Sequence, residues 1–372
     1  LTDLIVTAAT DVTAGGDVSI EGVSLAATTV TAGGDLSLTD GQTTDASLTS
    51  GGALNGSNLR TGALDVAATD DVTLDAMQVA GNAAILSTDG DIGLGSVAVA
   101  GQLTVESGAG AIRTIDSNFA LDAVTVAGSG ATAPTLIGEE TNANLLSVGG
   151  DAYFMAAGDI ALVDDEVGVT GDNDFMGGVT AISGGSVILN DANDLVIGAP
   201  TGVARPGGRR FNSTGITAAN SLRIEAGGSI ADADPDAGAD ADAPLATVAI
   251  GGDALLRAGG DILLDNETHA IGGAVAARGQ NITLTEVGTI SLGPINASGD
   301  LMVEAGANNA APGGTFGDAA ILQARAVTVA NADIGAEAGD ETIRGAIQVT
   351  GAATFATGLN PRFALGNPQL TG

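Results

Sequence analysis

Four groups of side chains in this 372-residue sequence are of types that could do chemistry. The first is an aspartate that returns behind small residues: Asp17 after Gly15-Gly16, Asp35 after Gly33-Gly34, and Asp71, with Ala53 at the equivalent point between them. Stacked carboxylates about 5 Å apart would repel one another, and calcium could bridge them. Calcium solenoids of the Gly-Gly-x-Gly-x-Asp type need a further glycine and a fixed nine-residue rhythm, and neither is present. The expectation is therefore that each Asp accepts backbone N–H groups in its turn, with no cofactor.

The second group is the acidic run Asp232, Asp234, Asp236, Asp240 and Asp242, the densest candidate for metal ligation. An EF-hand-like loop wants Gly at its sixth position and Glu at its twelfth, and Ala237 and Ala243 stand there instead. A solvated excursion rich in Ala, Pro and Gly is expected.

The third group would be catalytic. Asp164, Asp165 and Glu166, or Asp172 and Asp174, could supply acids to a groove, as hydrolysis of a glycosidic bond requires. No basic residue accompanies either cluster in sequence. His269, the single histidine, follows Asn266-Glu267-Thr268 and is expected in an exposed loop. No nucleophile-elbow motif is visible, so no enzyme is expected.

The fourth is a local reversal of charge, Arg205-Pro206-Gly207-Gly208-Arg209-Arg210, with Phe211 beside it. A guanidinium grips acidic oxygens as a fork, and the ring adds a flat apolar face. Arg205, Arg209, Arg210 and Phe211 are thus the candidate ligand contacts, for an acidic or sulfated glycan. The plainer expectation is that the arginines clamp the chain's own carboxylates.

The elements that carry these groups follow from internal repetition. Ala14-Gly15-Gly16-Asp17-Val18-Ser19-Ile20 aligns with Ala32-Gly33-Gly34-Asp35-Leu36-Ser37-Leu38 at an offset of 18 residues, and two further steps reach Ser50-Gly51-Gly52-Ala53-Leu54 and Ala68-Thr69-Asp70-Asp71-Val72. Within a unit, apolar positions come in pairs two apart: Val18/Ile20, Val23/Leu25, Thr28/Val30, then Leu36/Leu38, Gly41/Thr43, Ala46/Leu48. Spacing of two puts both side chains on one face of a strand. Three short strands and three corners per unit describe a triangular coil. Helices are disfavoured, because each interior Gly costs about 1 kcal/mol. Stacked at roughly 4.8 Å, some fifteen to eighteen coils would make a rod on the order of 70–85 Å long.

The expected fold is all-β, a single-stranded parallel β-helix of triangular coils of 18–20 residues, continuous over 1–372 and most regular at 1–110 and 248–306. Excursions from its corners are expected near 131–146, 164–182, 198–215 and 231–246.

Composition agrees with a narrow aliphatic core: 58 Gly, seven Phe, one Tyr and no Trp, where a wide core would use aromatics. The formal charge is −34, from 45 acidic against 11 basic residues. That excludes nucleic acid as a partner, since phosphate binding needs cations, and disfavours anionic lipid. There is no cysteine, as suits a repeat array exported unfolded. No apolar run is long enough for a membrane-spanning helix. With no signal peptide at Leu1 and an abrupt stop at Gly372, the chain reads as a segment of a larger protein.

The phrases Gly-Gly-Asp-Leu-Ser-Leu at 33–38 and Gly-Asn-Ala-Ala-Ile-Leu with Gly-Asp-Ile-Gly-Leu at 81–94 resemble the shaft repeats of filamentous-haemagglutinin-like exoproteins of the two-partner secretion route. The resemblance implies a right-handed β-helix, an extracellular or cell-surface location on a Gram-negative bacterium, and an outer-membrane secretion partner. It implies a role in adhesion, aggregation or biofilm, as an adhesin or matrix fibre contacting other copies of itself or host and matrix glycans. The amino-terminal secretion domain of that family is not recognisable here. The function kept beside it is a β-helical carbohydrate-active enzyme, a polysaccharide lyase or hydrolase.

Overall fold

The computed structural model describes residues 5–6, 9–114, 146–163, 173–198, 215–233, 246–266, 268–286 and 290–305, with further backbone strands at 314–316, 320–324, 326–330, 341–349, 353–356 and 363–366. Every regular element among them is a strand, and every recorded pairing is parallel. Two compact units emerge, one up to residue 192 and one from residue 193, apart from segments outside the described residues.

In the first unit three ladders form, one per side of the coil. The first stacks 18–20, 36–38 and 54–56, then Val72–Asp75, Ile92–Leu94, Ile112–Thr114, Ile160–Leu162 and Val187–Asp191. The second stacks 23–25, 41–43 and 59–61, then Met77–Val79, Val97–Val99, Leu146–Val148 and Asp174–Phe175. The third runs from Thr10–Ala14 through Thr28–Ala32, Asp45–Ser50, Ala63–Ala68, Ala83–Ser87, Leu103–Ser107 and Ala152–Ala156 to Gly178–Ser183. Each strand bonds to its equivalents one coil away, so the ladders are open stacks and not a barrel.

The paired apolar positions point inward as their spacing requires. Leu36, Leu38, Ala46, Leu48, Leu54, Leu59, Leu64 and Val66 are all buried, while Asn55, Arg60 and Asp65 between them are exposed. The corner between the first and second ladders needs a left-handed residue. Gly22 (φ 66°), Asp40 (54°), Asn58 (50°) and Ala76 (51°) supply it in four successive coils. Asp and Asn tolerate that region and Ala does so under strain. At the Gly-Gly corner, a Cβ on Gly33 would sit 2.6 Å from the carbonyl oxygen of Gly15 in the coil before, and one on Gly34 would meet the Asp17 carboxylate.

The second unit is built the same way. Leu222–Ala226, Ala254–Ala258, Ala274–Gly279 and Ile290–Ala297 form one ladder. Leu195–Ile197, Ile230–Asp232, Ile262–Leu264, Ile282–Glu286 and Asp300–Ala305 form another, and Gly215–Ala218, Thr247–Ile250 and Ala270–Ile271 a third.

Two expected excursions are shorter than their sequence bounds. Residues 174–175 lie within the 164–182 stretch and 178–183 overlap its end, and both are strands, of the second and third ladders. Residues 231–232 close a strand and Ala246 is buried. The interrupting Gly and Asp residues hid the inward positions Phe175, Val179 and Ala181, which complete the core.

Candidate functional site

The corner carboxylates are engaged between coils. The Oδ1 of Asp17 accepts the N–H of Asp35 at 3.0 Å, and the Oδ1 of Asp35 accepts that of Ala53 at 3.0 Å. Asp71 and Asp91 continue the pattern, accepting the N–H groups of Asp91 and Ala111 at 2.8 Å each. The expected turn-capping bond is thus made to the following coil instead of within the turn, because 18- to 20-residue stacking brings the next corner's N–H over each carboxylate. In the second unit Asp194, Ser229, Asp261 and Asn281 do the same toward Ser229, Asp261, Asn281 and Asp300. Serine hydroxyls reinforce the same corner of the first unit: Ser50 donates to Gly34 O and Ser107 to Gly90 O. With one oxygen of each carboxylate occupied by an N–H, chelation of metal is expected to leave the fold intact. Adding EDTA should not move the melting temperature, and a fall of many degrees restored by calcium would overturn this account.

The most concentrated polar chemistry lies inside the second unit. Asp232, read from sequence as part of a solvated run, is buried at the end of the strand Ile230–Asp232, and His269, read as an exposed loop residue, is 1% exposed. Both readings are corrected by the coil geometry, which folds the two corners inward against each other. His269 Nε2 lies 2.9 Å from Asp232 Oδ2, while the N–H of Val248 donates to Nδ1 at 2.9 Å. The acceptor role of Nδ1 places the ring proton on Nε2. Asp232 Oδ2 also accepts the N–H of Asn266 at 3.0 Å, and Asn266 Nδ2 donates to Ala246 O at 2.8 Å. The Oδ1 of Asn266 accepts from Thr268, whose hydroxyl meets that of Thr247. These groups satisfy the backbone of Ala246, Val248 and Asn266, as buried polar groups must. Both histidine nitrogens are occupied, so the ring has no lone pair to offer a substrate.

The first unit repeats the device. Asn173 accepts the N–H of Leu146 at 3.0 Å and donates to Leu162 O and to Asn190 Oδ1. Asp191 accepts the N–H of Phe175 at 3.0 Å, and Thr114 donates to Val163 O at 2.9 Å. These clamps were missed from sequence. A signal existed: Leu189-x-Asp191, Ile230-x-Asp232, Leu264-x-Asn266 and Leu284-x-Glu286 each put a polar residue at inward parity behind a core aliphatic.

Glu286 is the outlier. It is 4% exposed, its Oε1 accepts the N–H of Ile271 at 2.7 Å, and its Oε2 has no hydrogen-bond partner among the described residues. Burial pushes its pKa up from 4.5 to about 7, against the lowering effect of the Ile271 bond. On the outer side of the same unit, Arg223 donates to Glu225 Oε1, which also takes Arg257 at 3.1 Å. That network was equally unforeseen.

Of the sequence candidates, Asp174 lies in the strand Asp174–Phe175. Asp164, Asp165, Glu166, Asp172, Arg205, Arg209, Arg210, Phe211, Asp234, Asp236, Asp240 and Asp242 lie outside the described residues. Among the described residues no three acidic or histidine side chains gather as a metal site would require, and no helix is long and apolar enough to cross a membrane.

Stacked parallel coils with inward aliphatics and corner ladders define a repeat protein of parallel β-structure. Residues 184–278 match the family described as Repeats of unknown function (DUF5649), a span that includes the Asp232–His269 clamp. No curated protein and no solved structure matches the chain.

Proposed function

We propose that this chain is part of the shaft of a secreted, filamentous-haemagglutinin-like protein at the surface of a Gram-negative bacterium, an adhesin or matrix fibre whose work is mechanical support and contact. The observation that carries the proposal is the use of the buried polar groups: in the clamps and corners, side chains that could serve catalysis hold backbone instead. The acidic exterior favours solubility of a long repetitive body. Contact then falls to departures from the repeat, since binding residues concentrate on loops held by rigid scaffolds. The arginine-rich stretch with Arg205, Arg209, Arg210 and Phe211 is the departure of opposite charge, suited to an acidic glycan or to carboxylates of another copy.

The test is attachment. Beads coated with the purified chain should adhere to glycan-bearing cells or to one another more than uncoated beads do. Replacing 200–212 by a Gly-Ser turn should reduce that attachment while the β-sheet circular dichroism stays unchanged. Coated beads that carry folded protein and remain dispersed and unattached would sink the reading, and release of reducing ends from a polysaccharide would favour an enzyme.

A further inference from the structure

The outward row of the second ladder in the first unit reads Ser24, Gln42, Arg60, Gln78, Ala98, Ser147 and Asp174, one residue per coil in register, so its single acid stands four coils beyond Arg60. Along it runs an open groove of about 830 Å³, reaching from Gln42 to Met176. None of its lining residues is acidic, in a chain with 45 carboxylates. A second groove of about 530 Å³, on the outside of the third ladder, is lined by Asp11, Asp45 and Asp65. The first groove thus lacks the acids that line the second and carries a cation, Arg60, instead. Arg60 stands exposed on its floor and makes no ion pair or hydrogen bond among the described residues. The amides of Gln42 and Gln78 flank it one coil to either side, exposed as well. At the far end Met176 is 68% exposed.

The geometry points to a binding groove for a linear acidic oligosaccharide, one uronic-acid carboxylate on Arg60 and neighbouring sugar hydroxyls on Gln42, Gln78 and Ser147. The guanidinium offers a carboxylate two parallel donors. The amides both donate and accept, as sugar hydroxyls do. Spacing separates this ligand from an acidic peptide. The row repeats with the coils at roughly 4.8 Å, close to the length of one sugar unit, whereas an extended peptide presents same-side groups only every ~6.8 Å and drifts out of step. A nucleic acid strand would need many cations, and the floor has one. This site is distinct from the arginine-rich stretch and belongs to the isolated chain, so it stands or falls separately from export or adhesion.

Isothermal titration of the whole chain with a hexameric oligouronate, the neutral oligomer of the same linkage and a polyglutamate peptide tests it. Oligouronate should bind, more weakly as salt is raised. Arg60→Gln should weaken it by roughly tenfold to a hundredfold with little effect on the neutral oligomer, and Gln78→Ala should weaken both. Asp65→Asn, in the acidic groove, should change neither. Circular dichroism reports whether each variant is folded, and all three positions are exposed. No oligouronate binding by the folded chain, equal binding of polyglutamate, or indifference to Arg60→Gln would each overturn the assignment.

Discussion

Leu36→Asp should collapse the coils around it, whereas Ser37→Asp, one residue on, should be nearly silent. Leu36 is fully buried between Val18 and Leu54 in the first ladder, and Ser37 faces outward in the same strand. An unpaired carboxylate at the inward position has no partner and no water, which costs about 3–5 kcal/mol. Because each coil is capped only by its neighbours, the loss spreads up and down the ladder. A surface substitution away from special features shifts stability by about 0.5 kcal/mol or less. The denaturation midpoints of the two variants should therefore separate widely. Equal shifts would mean that the inward–outward register is wrong.

Glu286→Gln should stabilise the second unit in a pH-dependent way. The folded pKa of about 7 lies above the ordinary 4.5, so the fold favours the protonated form. Its contribution is fully present below pH 4.5 and is lost as pH rises through about 7. At 1.36 kcal/mol per pKa unit, the loss approaches roughly 3 kcal/mol at pH 8. Glutamine keeps the shape and the acceptor for Ile271 without the charge. The variant should match the parent near pH 4 and exceed it at pH 8 in thermal or urea melts of the whole chain. A stability difference that stays constant with pH would remove the buried-charge account. The shift is the work of desolvation, which outweighs the opposing backbone bond from Ile271.

What could be read in the sequence was whatever depends on local alternation. Leu36/Leu38, Ala46/Leu48 and Leu64/Val66 announce their side of the strand by spacing alone, since a strand turns every second residue to one face. The corner glycines were equally legible, because the 18-residue offset repeats them. The Asp232–His269 clamp was not. Its partners are 37 residues apart, and an aspartate in an acidic, alanine-rich run looks solvated until the neighbouring coil is placed against it. Arg223, nearly buried beside Glu225, was hidden for the same reason: outward parity predicts exposure, and only tertiary packing removes it. Arg60 was legible as an outward residue, but its place between the amides of Gln42 and Gln78 becomes visible only when the coils are stacked.

Among the described residues, the bonds from corner N–H groups to the Asp and Asn side chains of a neighbouring coil run one way. The side-chain acceptor belongs to the earlier coil and the N–H to the later one, from Asp17 to Asp35 in the first unit and from Asp261 to Asn281 in the second. A stack with that rule has a polarity, as a filament does. Cut between two such corners, it shows these side-chain acceptors on the carboxy-terminal rim and their N–H donors on the amino-terminal rim, so two fragments can remake these bonds only head to tail. A chain laid down from its amino terminus meets these corner acceptors already in place, whereas the Asn173, His269 and Glu286 clamps close only when the later coil arrives.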